Sequence, residues 1–368
     1  MAARLCPERR QESAIVKVLF CGLGGIGQRH LRNLRLLLGD TLEVHAYRVR
    51  RQRIKLLDNL TVDEGADLEK DYAIQVHHEL ADALAQQPEA VFICNPNALH
   101  VPVALECARA GVPIFMEKPL ASDSNGLDEL LAEVQKRELL FHVGYNFRFH
   151  PGLQRLKALL DDGFFGRLVS VRSEIGEYLP NWHRYEDYRQ MYAARADQGG
   201  GVILSQIHEM DLIYWYFGLP HSLSTHGGHL SGLEIDVEDS ASSLMRFDGE
   251  RGCFPLLLHQ DFVQRPPSRK FRIVGDAGCA EMDLIANRLY VYDQAGELCE
   301  QNDFADFKRN DMFLAQARHF LECLANGSKP VVDLVDGMQS LRMALAARRS
   351  LREGCEVQLS EVSIHGQR

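Results

Sequence analysis

No run of about eighteen apolar residues occurs anywhere in the 368-residue chain, so no segment is long enough to cross a bilayer as a helix. The opening stretch, Met1 to Ser13, lacks the apolar core of a secretory signal and carries Arg4, Glu8, Arg9, Arg10 and Glu12 instead; it reads as a loose tail. Positive charge is also in short supply. A formal net charge of -10 argues against a general nucleic-acid surface, because phosphate binding needs a positive patch that an acidic chain supplies only locally. Nine cysteines, among them Cys21, Cys94, Cys107 and Cys253, contain no CxxC pair, which speaks against a zinc site or a disulfide framework. Several fall in apolar runs and read as buried thiols of a reducing cytoplasm. The spacings of His142, His150, His183 and His208 match no common ligand pattern, so no metal is expected. Internal repeats and low-complexity segments are absent too.

What is present is an average globular composition, 46% hydrophobic and 25% charged, in a chain long enough for two domains sharing a cleft. The first part alternates. Ile15 to Cys21 is a short apolar run that ends at a glycine cluster, after which Ile26, Leu31, Leu34 and Leu38 follow helical spacing. Thr41 to Tyr47, Ala90 to Cys94, Pro113 to Met116 and Leu140 to Tyr145 read as further strands. Leu99 to Ala110 and Ser122 to Arg137 read as helices, the second capped by Ser122 or Asp123. Strands alternating with helices predict an α/β Rossmann domain with a doubly wound parallel sheet over residues 14–141. After it, Ser240 to Phe247, Cys253 to Asp261, Lys270 to Val274, Cys279 to Leu284 and Leu289 to Tyr292 are strand-like and separated by turn signals. They predict an α+β domain with a mostly antiparallel open sheet over residues 142–368.

Gly22-Leu23-Gly24-Gly25-Ile26-Gly27 is G-x-G-x-x-G between a predicted strand and a predicted helix, the context in which that pattern marks a dinucleotide site. Gly22 permits the tight turn, Gly24 lets the backbone approach a pyrophosphate, and Gly27 lets helix and strand pack closely. The free N–H groups of the helix N-terminus supply partial positive charge. At the end of the second strand an acidic side chain would hold the ribose hydroxyls of NAD. Here the chain reads Ala46-Tyr47-Arg48-Val49-Arg50-Arg51, with no carboxylate. Arg48 suits a 2′-phosphate, so NAD(P) is the expected cofactor and NADP is favoured over NAD.

Three motifs together, Gly22 to His30, Cys94-Asn95-Pro96-Asn97-Ala98-Leu99-His100 and Met116-Glu117-Lys118-Pro119-Leu120, resemble the glucose-fructose oxidoreductase/inositol dehydrogenase (Gfo/Idh/MocA) family in order and spacing. Tyr145 to Pro151, Gly199-Gly200-Gly201 with His208-Glu209-Met210-Asp211 beyond it, Ile273 to Gly278 and Phe320 to Val332 extend the resemblance over nearly the whole chain. It implies an NAD(P)-dependent oxidoreductase acting on a hydroxyl or carbonyl carbon of a sugar, sugar derivative or polyol. It makes Lys118 a catalytic candidate beside nicotinamide, and places Asn95, Asn97, His100 and Glu117 along the cofactor. A homodimer or homotetramer, built through the outer face of the second sheet, is also implied.

Oxidising a hydroxyl requires hydride loss to nicotinamide and proton loss from oxygen, so a base or proton relay must stand at that oxygen. Lys118 and His208 are the expected pair. The residues from Gly201 to Phe217 read as one helix with Ser205, His208, Leu212 and Trp215 on one face. Inositol dehydrogenase-like members carry an aspartate four residues before this histidine, where the present chain has Leu204. Asp211 is expected to orient the imidazole in its place, or Ser205 to pass a proton. The polar and aromatic stretch from Gly176 to Tyr188 supplies substrate candidates Tyr178, Trp182, His183 and Arg184, with Tyr145 beside them; burial of its aromatics at a subunit contact is the competing reading. Arg148 or Arg184 would hold an acid group on the substrate. Two other functions fit the same resemblance: an NAD-dependent glycosidase working by transient oxidation, and a non-enzymatic NAD(P)-binding regulator.

Overall fold

The computed structural model describes residues 15–48, 54–183, 185–249 and 251–364; the expected tail before Ser13 lies outside them. Strands β1 (Val16–Cys21), β2 (Leu42–Tyr47), β3 (Gln75–His77), β4 (Ala90–Ile93), β5 (Ile114–Met116) and β6 (Phe141–Val143) form one sheet in the order β3-β2-β1-β4-β5-β6. All its pairings are parallel. Helices cover both faces, which is why β1 and β4 are apolar runs rather than alternating ones. The order reverses between β1 and β4, and ligands of such sheets bind outside the strands' carboxyl ends at that point. Strand β6 carries the sheet two residues past the division expected after residue 141, pairing Phe141, His142 and Val143 with β5.

Strands β7 (Leu168–Gly176), β8 (Ser222–Gly228), β9 (Ser240–Gly249), β10 (Gly252–Asp261), β11 (Ser268–Gly275), β12 (Gly278–Asp283), β13 (Arg288–Asp293), β14 (Leu298–Asp303) and β15 (Val357–Gln358) form a nine-stranded sheet. Its order is β14-β13-β12-β11-β7-β10-β9-β8-β15, antiparallel except where β10 runs parallel to β7. Alternation is clean here: Phe254, Leu256 and Leu258 of β10 are buried while Leu257 faces out. The buried face packs against the helices Pro151–Asp161, His208–Phe217 and Leu334–Glu353.

The helix Arg309–Asn326 returns to the first domain. Its Phe320 meets Phe92 and Phe115 edge-on, each at 5.5 Å between ring centroids, and those two rings stack at 4.6 Å. This cluster and the hydrogen bond from Val143 N to Val332 O at 3.1 Å bind the halves into one body.

Several expectations need correction. The helix expected from Ser122 runs from Leu127 to Lys136, with Gly126 in the left-handed region at its start, so neither Ser122 nor Asp123 caps it. The helix expected from Gly201 to Phe217 is two helices, Val202–Ser205 and His208–Phe217, parted at Gln206. Strands β3, β7, β8, β14 and β15 were missed. Among the described cysteines Cys253, Cys299 and Cys355 are exposed, while Cys21, Cys94, Cys107 and Cys323 are buried thiols. No group of histidine, cysteine and acidic side chains suited to a metal occurs among the described residues, and no helix there is long and apolar enough to cross a membrane.

Candidate active site

At the carboxyl end of β1 the backbone of Gly22 turns with φ +102°, and a Cβ there would lie 2.7 Å from Asn95 N; only glycine fits. A Cβ on Gly27 would stand 2.3 Å from Gly22 O, whereas one on Gly24 would meet nothing within 4 Å. Two glycines therefore close the turn and the third opens its backbone to the cleft. Leu23 and Ile26 fill the positions between, and Gly25 begins the helix Gly25–Leu38, whose first amides have no side-chain cap. An open glycine backbone and uncapped amides fit a pyrophosphate, so this loop would hold the dinucleotide.

The neighbouring loops brace one another. His100 Nδ1 lies 2.8 Å from Pro119 O and its Nε2 2.9 Å from Asn95 O, while burial lowers its pKa. Asn97 Nδ2 donates to Gly199 O at 3.0 Å, clamping a second-domain segment across the cleft. Asn95 points its amide nitrogen at Leu99 O, 3.4 Å away, and leaves Oδ1 buried without a partner. Glu117 Oε1 meets His30 Nε2 at 2.7 Å, and its Oε2 accepts from the Lys118 N–H at 3.2 Å.

Lys118, just past β5, reaches into the second domain and donates from Nζ to Ser205 O at 2.9 Å. Ser205 ends the short helix, and His208 starts the next. The break at Gln206 thus sets the imidazole in the first turn of a helix rather than mid-helix. His208 packs edge-on against Phe147 at 4.9 Å and Tyr145 at 5.9 Å, and its Nδ1 is buried without a partner, as is Ser205 Oγ. Burial lowers the His208 pKa well below the ordinary imidazole value, and the charges of Lys118, Arg269 and Arg309 lower it further. A neutral imidazole held near an ammonium group can take a proton as a hydride leaves.

Two expected roles are overturned. Asp211 does not orient His208: its Oδ1 and Oδ2 accept from Arg148 Nη2 at 2.7 Å and Nε at 3.0 Å, and Oδ1 accepts also from Ser340 Oγ at 3.2 Å. Arg148, 4% exposed, is consumed by that pair, by Val331 O at 3.2 Å and by Asp336 at 3.5 Å, so it is not free to hold a substrate acid. The segment after β7 packs Tyr178 and Trp182 against the second domain. Tyr178 lies under the Arg265 guanidinium at 4.1 Å, Trp182 packs edge-on against Phe262 at 5.3 Å with Nε1 buried and unpartnered, and His183 stacks on Tyr185 at 5.2 Å. Arg184 lies outside the described residues. Arg48 is 2.7 Å from Glu69, a carboxylate contributed from beyond the second strand.

Sequence reasoning missed His30, Tyr185, Arg269 and Arg309. Arg269 pairs with Glu209 at 2.7 Å and covers the Phe147 ring at 3.9 Å. Arg309 opens the helix Arg309–Asn326, whose next residue, Asn310, binds Asn33 and Arg29 on the glycine-loop helix at 2.9 and 3.1 Å. His30 stood inside the quoted first motif; the two arginines had no local signal, because only the tertiary fold brings them to the cleft.

A doubly wound sheet with a glycine loop open at its switch point is the frame of an NAD(P)-dependent oxidoreductase. Family models agree: residues 16–145 match the "Oxidoreductase family, NAD-binding Rossmann fold", and residues 153–281 match the "GFO/IDH/MocA C-terminal domain". The chain belongs to the Gfo/Idh/MocA family of oxidoreductases. A myo-inositol 2-dehydrogenase of Thermotoga maritima is 26% identical over 349 residues, 93% of this chain and 98% of that one. A UDP-N-acetylglucosamine 3-dehydrogenase of Acidithiobacillus ferrooxidans is 25% identical over 295 residues, covering 78% and 87%. The WlbA dehydrogenase of Bordetella pertussis, solved with NADH and UDP-GlcNAcA, superposes with a TM-score of 0.75 at 21% identity, covering 93% and 98%.

Proposed function

We propose that this enzyme moves a hydride between nicotinamide and the CH–OH or carbonyl carbon of a sugar, sugar derivative or polyol. The observation that carries the reading is the bond from Lys118 Nζ to Ser205 O at 2.9 Å, which ties the ammonium group to the turn leading into His208. Gly22 to Gly27 would hold the dinucleotide, which when bound would supply the hydride acceptor or donor. Lys118 donates a hydrogen bond to the substrate oxygen and stabilises developing alkoxide. His208, kept neutral, takes the hydroxyl proton; Ser205 Oγ, unpartnered beside it, is the second group positioned to relay that proton. Tyr178, Trp182 and His183 present aromatic faces and hydrogen-bonding atoms to a polyhydroxylated ligand, while Tyr145 and Phe147 support the imidazole.

Arg48 favours a 2′-phosphate and Glu69 opposes one by like charge, so the preference we assign to NADP over NAD is small. The outer face of the second sheet exposes Val169, Leu244, Leu257 and Leu298, which supports a homodimer or homotetramer. We place the enzyme in the cytoplasm on its cysteine usage. The glycosidase and regulator readings draw no support from the relatives named above, which are dehydrogenases. The test is a panel of sugars, sugar acids, sugar nucleotides and polyols assayed at the reduced-nicotinamide band with either cofactor. Turnover that Lys118→Met and His208→Gln each reduce by about a hundredfold or more is expected; full activity in either variant ends the assignment.

A further inference from the structure

The segment between β7 and the helix Val202–Ser205 does more than line the substrate side. It leaves the second sheet at Gly176. Trp182 on Phe262, Arg189 on Glu234 at 2.9 Å, Glu234 N on Tyr188 Oη at 3.2 Å and Ala196 N on Asp236 at 2.7 Å fasten it to the second domain. At its far end Asn97 of the first domain grips Gly199 O. Between these anchors the chain crosses the cleft and sends one side chain onto the glycine loop: a Cβ built on Gly25 would lie 3.0 Å from the Tyr185 hydroxyl.

Gly25 is the first residue of the helix whose uncapped amides face the pyrophosphate position. Leu60 and Leu56 flank the same spot, at 3.4 and 3.9 Å from that Cβ, so the hydroxyl sits against the loop between these side chains and the Glu186 carboxylate. The Tyr185 ring is held in place by its stack on His183, whose Nδ1 is tied to Glu186 at 2.7 Å. Burial, reinforced by Glu186, raises the phenol's pKa, so it remains a proton donor throughout the neutral range.

We infer that Tyr185 is a dinucleotide-binding residue, and that the segment carrying it is a strap across the cofactor which donates the phenolic hydrogen to the pyrophosphate held by Gly24 and Gly25. The inference rests on the glycine loop binding the dinucleotide. It makes the second domain, which carries His208, a direct contributor to cofactor retention. Because Trp182 and His183 lie on the same strap, cofactor binding orders part of the substrate side as well.

The test is stopped-flow fluorescence of NADH and NADPH with the full-length protein and no substrate, giving association and dissociation rates separately. Tyr185→Phe keeps the ring and its stack and removes only the donor. Dissociation about tenfold faster with little change in association is expected, as for the loss of one hydrogen bond to a charged group. Tyr185→Ala should lose more, since the strap then no longer rests on the loop. Unchanged dissociation in Tyr185→Phe overturns the inference. So does tighter binding or faster association in Tyr185→Ala, which would mean that the phenol only obstructs the loop. Failure of the unmodified protein to bind either nucleotide overturns the glycine-loop reading itself, and the strap with it.

Discussion

His30 Nε2 and Glu117 Oε1 lie 2.7 Å apart, with the histidine fully buried among Phe92, Phe115 and Phe313 and its Nδ1 left without a partner. The pair joins the glycine-loop helix to the turn that presents Lys118. Glu117 Oε2 holds the Lys118 amide, and the Glu117 amide is bound to Ile93 O at 2.9 Å. A Cβ on Gly144 would come within 3.1 Å of the same carboxylate, so the turn has no room to shift.

On this geometry we assign Glu117, expected along the cofactor, as a proposed positioning residue for the ammonium group. Glu117→Gln keeps its size and weakens its hold on His30, and misplacing a catalytic group by an ångström costs up to about a hundredfold in rate. The expected result is a kcat lowered about tenfold or more with a cofactor dissociation constant within about twofold of the parent. A weakened cofactor affinity at unchanged kcat would assign Glu117 to the dinucleotide instead.

Asp211 and Arg148 form a structural pair, and their variants should read as stability rather than chemistry. Asp211→Ala leaves a guanidinium buried without its partner, which costs about 3–5 kcal/mol. The melting temperature should fall by roughly 10 °C, while the pH dependence of kcat/KM keeps its shape. A displaced pH profile in a variant of unchanged stability would return Asp211 to the catalytic set.

Arg48 tests the cofactor preference. Arg48→Asp should weaken NADPH about tenfold or more and NADH much less, through loss of charge-assisted bonds to a 2′-phosphate. Glu69→Gln removes the opposing charge 2.7 Å from the guanidinium and should tighten NADPH alone. Equal changes in both dissociation constants, measured by titration, would remove Arg48 from the choice.

These cases show which parts of the site were legible. The glycine turn announces itself because its short contiguous pattern follows a strand and opens a helix, whereas Lys118 and His208 entered as candidates through the motifs that carry the family resemblance. The partner of Asp211 did not announce itself, because Arg148 lies 63 residues away and spacing along one helix gives no information about it. Nor did Glu69, which enters from the segment before β3. That strand of three residues is too short to show a period, and the helix break at Gln206 lies inside an unbroken apolar pattern. Arg269 and Arg309 sit in polar surroundings that look like ordinary surface until the fold closes on them.

Buried neutral histidines also fix how stability responds to acid. Burial lowers the pKa of His142 to about 3 and of His150 to about 4. His150 Nδ1 accepts the Gly152 N–H at 3.1 Å, capping the helix Pro151–Asp161, and a proton there would break the cap. The unfolded chain takes up protons on both rings below about pH 6.5 while the folded chain does not. Stability should therefore fall as pH drops from about 6.5 towards 4, by about 1.4 kcal/mol per pH unit for each ring. Denaturant titrations at several pH values check the slope; stability that is flat across this window contradicts it.

The same sign should govern catalysis by His208, the base proposed above. Its pKa lies well below the ordinary imidazole value because burial and three cations, Lys118, Arg269 and Arg309, oppose its proton. Oxidation needs the neutral ring, so log kcat/KM for oxidation should stay level below pH 6.5 and bend down only at lower pH. Reduction needs the protonated ring, which is scarce at neutral pH, so that direction should speed up on acidification. Arg309→Gln removes one of the cations without touching Lys118 or His208, and should move the bend towards the ordinary imidazole value. An acid limb already at pH 6.5 in the parent enzyme, or one that ignores the loss of Arg309, would mean that some group other than His208 carries the proton.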